Sequence, residues 1–232
     1  MKRLWNMCGA AGFLGVVLLS GGCGGGGSSG PATVSAVSPP ISGATVNTGG
    51  ANAGTVTTSP TATTTVTAPA DAPAAVAAVA VTLPPSTIIT AKDASGATIA
   101  LTAAPSFRFV APANATTATS GTSGIPLPTT GGYKAVKSTA VAIDCTIVGA
   151  ATATFSNPIT LTLPVPGKAP GSVINAVYQN KNDGKGYKLI GGPYTVAANG
   201  TIAVTVTNLC WLVGDPEFET ETGSSGTSGI TS

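Results

Sequence analysis

The feature that most constrains the fold is a series of short β-branched runs separated by turn residues, which begins at about Val76. In the clearest case, residues 202–206 alternate between aliphatic and small or polar side chains, directly after Asn199 and Gly200. An Asn-Gly pair beside alternating segments is a strong signal for a β-hairpin, and alternation gives a strand one buried and one wet face. The pattern therefore predicts an all-β fold with a single β-sandwich domain over residues 76–214.

The composition narrows the classes of function. The chain contains no histidine, so the commonest general base, the usual metal ligand and every Ser-His or Cys-His pair are missing. Ten Lys and Arg against eight Asp and Glu give a formal net charge of +2, which provides no basic surface for phosphate groups. Residues 180–184 imitate only part of a calcium loop and are predicted to form a turn. We therefore expect no enzyme activity, no catalytic residues, no cofactor or metal, and no nucleic-acid partner.

The N-terminus has the three-part pattern of a secretory signal. Lys2 and Arg3 precede an apolar core at residues 13–19, which is too short to span a membrane, and small residues follow up to Cys23. Small residues directly before a cysteine resemble the lipobox of bacterial lipoproteins. That resemblance implies a signal peptide over residues 1–22, a lipid such as palmitate on Cys23, and a membrane partner through this anchor.

The lipobox departs from the usual pattern, which leaves alternatives open. Ser20 stands where leucine is usual, and Leu19 lies one residue further back. Ordinary signal cleavage near Gly21 or Gly22 and an uncleaved anchor are the alternatives. The residues after Cys23 lack the Asp that signals inner-membrane retention in enteric bacteria, so the resemblance implies a location in the cell envelope, at the outer membrane. The domain would face either the periplasm or the cell surface.

The chain on either side of the predicted domain has a different composition. Residues 23–75 consist almost entirely of Gly, Ser, Thr, Ala, Pro, Val and Asn, with one charge at Asp71 and no aromatic residue. Such a stretch buries too little apolar surface to offset its chain entropy, which predicts a lipid-anchored flexible linker that could stretch to about 170 Å. Residues 215–232, acidic and then rich in Gly and Ser, are predicted to be a disordered tail.

The cysteines suggest one disulfide bond. Cys8 is lost with the signal peptide and Cys23 is the anchor, which leaves Cys145 and Cys210 as a pair in an exported protein. An even number of cysteines in an oxidising compartment favours a bridge between them.

Part of the domain resembles a known family. The resemblance covers residues 76–214, and most specifically residues 150–213. It rests on the segments 153–166, 173–178, 186–190 and 208–211. These segments resemble bacterial envelope domains related to the zonula occludens and netrin-receptor type (ZU-type) β-sandwich, which implies a structural or interaction module. Some relatives cleave themselves at a His-Phe-Ser triplet near the last strand, but this chain has Asn208-Leu209-Cys210 at that place, so no self-cleavage is expected.

The recognition element is expected in the long loop at residues 111–132 or at a sheet edge. The few aromatic residues are expected in the core or at strand edges, with a stacked platform for a sugar or peptide as the alternative. These aromatic residues are Phe107, Phe109, Tyr133, Phe155, Tyr178, Tyr187, Tyr194 and Trp211.

The residues together predict a lipid-anchored cell-envelope protein that presents a non-catalytic β-sandwich for binding or scaffolding. Its partner would be an envelope or extracellular protein or a glycan. The alternatives are a purely structural spacer of the cell surface layer, and a secreted adhesin-like module that ordinary signal peptidase releases.

Overall fold

The computed structural model describes residues 33–93, 95–112, 133–136, 142–180, 187–209, 212–214 and 218–220. In this part of the chain every regular element is a strand, except for one 3-10 turn at Gly50–Asn52. The predicted all-β fold class is confirmed. No helix in these ranges is long and apolar enough to cross a membrane.

The strands are β1 (Thr33–Val37), β2 (Thr45–Val46), β3 (Val56–Thr57), β4 (Thr64–Thr67), β5 (Ala80–Leu83), β6 (Ile88–Lys92), β7 (Phe107–Pro112), β8 (Tyr133–Val136), β9 (Ala142–Ile147), β10 (Thr152–Pro164), β11 (Val173–Ile174), β12 (Val177–Asn180), β13 (Tyr187–Gly191), β14 (Tyr194–Thr195), β15 (Thr201–Asn208), β16 (Leu212–Gly214) and β17 (Phe218–Thr220).

One sheet has six antiparallel strands in the order β1-β7-β9-β16-β12-β13. Its ladder registers give it two distinct ends. At one end, which we call the Thr33 end, lie Thr33, Pro112, Ala142 and Gly214. At the other, which we call the Val37 end, lie Val37, Arg108, Phe107 and Ile147. The chain therefore enters this sheet at the Thr33 end, and β16 ends there too.

The second sheet has seven strands and is built around β10, its longest strand. β15 pairs along one edge of β10, while β6 and then β5 pair along the other. The outer strands β3 and β4 pair with β6 and β5, and β2 pairs with β3. Two smaller two-stranded sheets, β11-β14 and β8-β17, complete the described structure.

Two prolines interrupt the edge that β5 and β6 form along β10. Pro84 and Pro85 lie between these strands, and a proline has no N–H to donate to a ladder. Two buried threonines replace the lost hydrogen bonds. The Thr58 hydroxyl accepts from the backbone N–H of Thr87 at 3.0 Å, and both threonine hydroxyls donate to the Pro84 carbonyl, at 3.0 and 2.8 Å. β5 and β6 therefore stay in one sheet on either side of the prolines.

The two large sheets pack face to face. The ring of Phe107 in the six-stranded sheet stacks on Phe155 in the seven-stranded sheet, with centroids 6.5 Å apart and planes 20° apart. Both rings, together with Phe109, are buried within one hydrophobic core to which both sheets contribute. The predicted β-sandwich is confirmed, and these three aromatic residues lie in the core as expected.

Residues 33–75 differ from the predicted flexible linker. β1 pairs with β7 in the six-stranded sheet, and β3 and β4 pair with β6 and β5 in the other. Ile41, Val56 and Val66 belong to the core and are 3%, 0% and 6% exposed. The folded domain therefore includes residues 33–75, within the described part of the chain, and does not begin at Val76. A second difference lies in the predicted disordered tail, where Phe218–Thr220 forms β17 and pairs with β8.

The linker expectation was wrong for a physical reason. Residues 33–75 have too few large side chains to build a core of their own, which is the property that their composition reports. A short strand that adds to an existing sheet edge needs much less apolar surface of its own. Its neighbouring strand supplies backbone hydrogen bonds, and one or two of its aliphatic side chains complete a core that other strands have already built. Thr and Val also favour the strand conformation.

The predicted turns are present, but their strands pair differently. At Asn199-Gly200 the N–H of Ala197 donates to the Thr201 carbonyl at 2.8 Å, which closes the turn. The strand that follows, β15, pairs with β10 and not with the segment before the turn. The sequence Asp-Ala-Ser-Gly at residues 93–96 also predicts a hairpin turn, but among the described residues after it only an isolated bridge between Lys92 and Thr98 forms.

The core position of Val56 generates a test. Val56→Ala should lower the free energy of unfolding by about 2 kcal/mol, because it removes two buried methyl groups from a fully packed site. The matched control is Val37→Ala, the same substitution at a side chain that is 48% exposed, which should cost well under half as much. Guanidinium unfolding of the mature chain measures both. An unchanged midpoint for Val56→Ala would show that this segment is not part of the fold.

Candidate functional site

An open groove of about 320 Å³ lies at the Val37 end of the six-stranded sheet. Val37 and Val148 flank it, and the segment 100–106 lines the rest. The lining side chains are those of Ala, Leu, Thr, Pro, Ser and Val, with no charge and no aromatic ring among them. The groove therefore offers a small, uncharged surface of which about half is apolar.

Backbone hydrogen bonds on two sides hold the segment that lines this groove. On the β1 side, the Ser38 N–H donates to the Phe107 carbonyl at 2.8 Å, and the Phe107 N–H donates to the Ser38 hydroxyl at 2.9 Å. On the β9 side, the Val148 N–H donates to the Ser106 carbonyl at 3.3 Å. The Ile41 N–H binds the Pro105 carbonyl at 3.0 Å. Residues on both sides thus fix the wall of the groove before any partner arrives.

The rim of the groove is unusually apolar for an exposed surface. Val37 is 48% and Val148 is 45% exposed, and they are two of the four large hydrophobic side chains exposed in the described part of the chain. Arg108 lies directly opposite Val37 across the β1-β7 ladder. Its Nε atom is buried and has no hydrogen-bond partner among the described residues. A ligand that covers the two valines would remove apolar surface from water, which is favourable.

A structured turn precedes the groove segment. One carboxylate oxygen of Asp93 accepts hydrogen bonds from the Ser95 hydroxyl at 2.6 Å, the Ser95 N–H at 2.8 Å and the Ala97 N–H at 2.9 Å. The Ser95 hydroxyl, followed by the Ala97 N–H, lowers the pKa of Asp93 below its ordinary value. Beyond this turn the Ile99 N–H returns to the Ala91 carbonyl at 2.9 Å. The turn thereby directs the chain into the groove wall.

The structure describes only some of the residues singled out from the sequence. Cys23, Cys210, residues 113–132 and residues 181–184 lie outside the described residues. Cys145 is buried on β9, and Asn208 ends β15, where its carbonyl accepts from the Gln179 side chain at 2.9 Å. Within the described ranges, no three His, Cys, Asp or Glu residues come together in a way that could hold a metal ion.

The ladder between β9 and β16 indicates which way the Cys145 side chain faces. Leu212 lies opposite Ile143, and both side chains are buried. Cys145 is two residues beyond Ile143 on β9 and is fully buried as well. Side chains two residues apart share a face of a strand, so Cys145 points toward the core from the same face as Ile143.

The sequence analysis did not identify the groove. Val37 lay in the segment taken as a linker, and the small residues at 100–106 carry no motif. What marks the site is that the exposed Val37 and Val148 line one groove, in or directly after strands that flank β7, and the position of Val37 depends on the pairing of β1 with β7. The one signal in the sequence was the Asp93 turn, which predicted a change of direction but not a surface.

The Asp93 hydrogen bonds predict a dependence of stability on pH. Because the folded pKa lies below the unfolded one, the ionised carboxylate stabilises the fold above the unfolded pKa of about 4, and this contribution is lost as the pH falls through the folded pKa. Asp93→Asn should therefore be less stable than the parent at pH 7, and the two should converge in acid. Urea unfolding from pH 7 to about pH 2.5 measures this, with the exposed Asp71→Asn as control. A difference that persists unchanged in acid would contradict the assignment.

Comparisons with known proteins add no relative to this picture. No family model, no curated protein and no solved structure matches the chain. The resemblance of residues 150–213 to the ZU-type β-sandwich therefore stays a prediction. Any functional assignment thus depends on this chain's own residues.

Proposed function

We propose that this protein is a lipid-anchored component of the cell envelope whose non-catalytic β-sandwich binds a partner. The anchor is Cys23, at the outer membrane, and the partner is an envelope or extracellular protein or a glycan. The observation that carries the proposal is the groove at the Val37 end, where two exposed valines flank a preformed, uncharged wall. Burial of exposed aliphatic surface is the usual driving force for such binding.

The start of β1 at Thr33 favours binding over a role as a structural spacer. A spacer needs reach, and the predicted 50-residue linker would have supplied it. Because β1 begins ten residues after Cys23, the chain between anchor and domain can extend to only about 36 Å. A domain so close to its anchor separates two layers poorly, but it can still present a groove to a partner.

The lipid anchor has a direct test. Cys23→Ser should abolish incorporation of labelled palmitate and leave residues 1–22 uncleaved, because the cysteine on which lipid attachment and lipobox cleavage depend is lost. Cys8→Ser is the matched control, since that cysteine lies in the signal peptide and should leave both properties unchanged. A soluble parent protein without label would instead support the secreted alternative.

Binding at the groove can be tested in cells with a photo-reactive residue. Placed at Val148, it should give a discrete cross-linked product, because a bound partner would cover this side chain. Placed at Val173, which is 46% exposed on β11 and does not line the groove, it should give none. The absence of a product at both positions would favour the spacer, and equal products at both would contradict a specific groove.

We also propose the disulfide bond between Cys145 and Cys210. The register supports this pairing. Leu212 lies opposite Ile143 in the antiparallel ladder, Cys145 is two residues after Ile143, and Cys210 is two residues before Leu212. Continued by two residues, the same register would put the two cysteines opposite each other. Buried neighbours on both strands fit a bridge on the core side. Directly opposite residues in such a ladder have Cα atoms within the separation that a disulfide spans.

Reduction tests this bridge. It would close a loop of about 65 residues, so in the chain-entropy model its loss should cost about 4 kcal/mol, less any strain in the folded state. The mature chain, denatured without reductant, should take up no thiol reagent at Cys145 or Cys210, and reductant should lower its melting temperature. Cys210→Ala should already have the lower melting temperature and respond to no reductant. Labelling of both thiols in the oxidised protein would exclude the bridge.

A further inference from the structure

We infer that the partner of the groove is a protein held in the same membrane as the anchor, which offers a short aliphatic segment to Val37 and Val148. This inference rests on the proposed lipid anchor at Cys23 and makes the proposed function more specific. It follows from two separate observations, the distance along the chain from the anchor to the groove and the chemistry of the groove wall.

The covalent chain limits how far the groove can stand from the lipid. Val37, which lines the groove, is 14 residues from Cys23. Fully extended, that length of chain spans about 50 Å. The limit holds for every orientation of the domain, because it depends only on the chain between the two residues. The groove therefore works within about 50 Å of the acylated cysteine.

Because Val37 is fixed in a paired strand, the distance limit on this residue also applies to the groove that it lines. β1 is hydrogen-bonded to β7 along its whole length, from Thr33 opposite Pro112 to Val37 opposite Arg108. The groove is thus attached to the first strand among the described residues, at the end of that strand. A binding site formed only by residues after Val76 would have allowed a reach more than three times longer.

The wall of the groove favours an aliphatic protein segment over a glycan. Sugars are bound by aromatic faces and by amide or carboxylate side chains, and the groove wall contains neither. Its polar side chains are the hydroxyls of Thr102 and Ser106. Small aliphatic side chains can pack against Val37 and Val148, and no charged side chain lines the groove. A glycan is accordingly the alternative that the experiment must exclude.

A longer tether is the most direct test. Inserting about 40 Gly and Ser residues between Ala32 and Thr33 leaves the groove intact but lets the domain explore a much larger volume. Effective concentration falls roughly as the −3/2 power of tether length, so cross-linking from Val148 to a partner in the same membrane should fall about tenfold. The matched control adds the same residues after Ser232, where they leave the tether unchanged, and should keep full cross-linking.

The identity of the cross-linked product completes the experiment. We expect a product that protease degrades, and after cleavage of the cross-link the released partner should itself stay with the membrane, because it has its own anchor. A released partner that is soluble, a product that only a glycosidase removes, or a yield that the longer tether leaves unchanged would overturn this inference alone. Failure of palmitate labelling in the parent chain would instead overturn the proposed anchor, and this inference with it.

Discussion

Backbone pairing at the sheet edges by β1, β3 and β4 is the constraint on which the rest of the structure depends. These strands carry few large side chains, but each finds an edge whose N–H and C=O groups need partners. Their valines then close the core, as Val56 and Val66 show. The same pairing covers the edges of both sheets, builds one side of the groove and determines where the tether ends.

A second constraint acts inside the seven-stranded sheet. β10 is long enough to serve two consecutive strands on one edge, and Pro84 and Pro85 would leave the backbone between them without ladder hydrogen bonds. Thr58 and Thr87 supply the missing bonds from buried hydroxyls. Thr58 directly follows β3, so this segment also supplies hydrogen bonds to the backbone between β5 and β6. The N-terminal strands and the later domain are therefore one cooperative unit.

Much of the later domain could be predicted from local patterns. The alternation in β10 and β15, the Asp93 turn and the Asn199-Gly200 turn are all present, because each is specified by residues near one another in the chain. The partner of β15 could not be read in this way, since strand pairing is decided by the whole sheet. Residues 33–75 were assigned to a linker for a related reason, because short Thr- and Val-containing runs become strands only when an edge is available.

The groove shows the same limit of local reasoning for function. Val37 and Val148 are far apart in sequence and unremarkable singly, and only their shared exposure at one end of the sheet marks a surface. The anchor, in contrast, is a local motif at Cys23 that a sequence can indicate by itself. If the proposed anchor at Cys23 is present, joining the two changes the expected reach of the protein, from a domain on a long stalk to a domain kept close to its membrane.

Amide hydrogen exchange on the mature chain tests most directly whether residues 33–75 belong to the sandwich. The account predicts that amides in β1, β3 and β4 exchange slowly and open together with those of β10 and β15, because they share one core. It would be contradicted if residues 33–75 exchanged at the rate of an unstructured chain while the strands after Val76 stayed protected. In that case the tether would be long, the groove would lose Val37, and the proposed confinement to the membrane would fall.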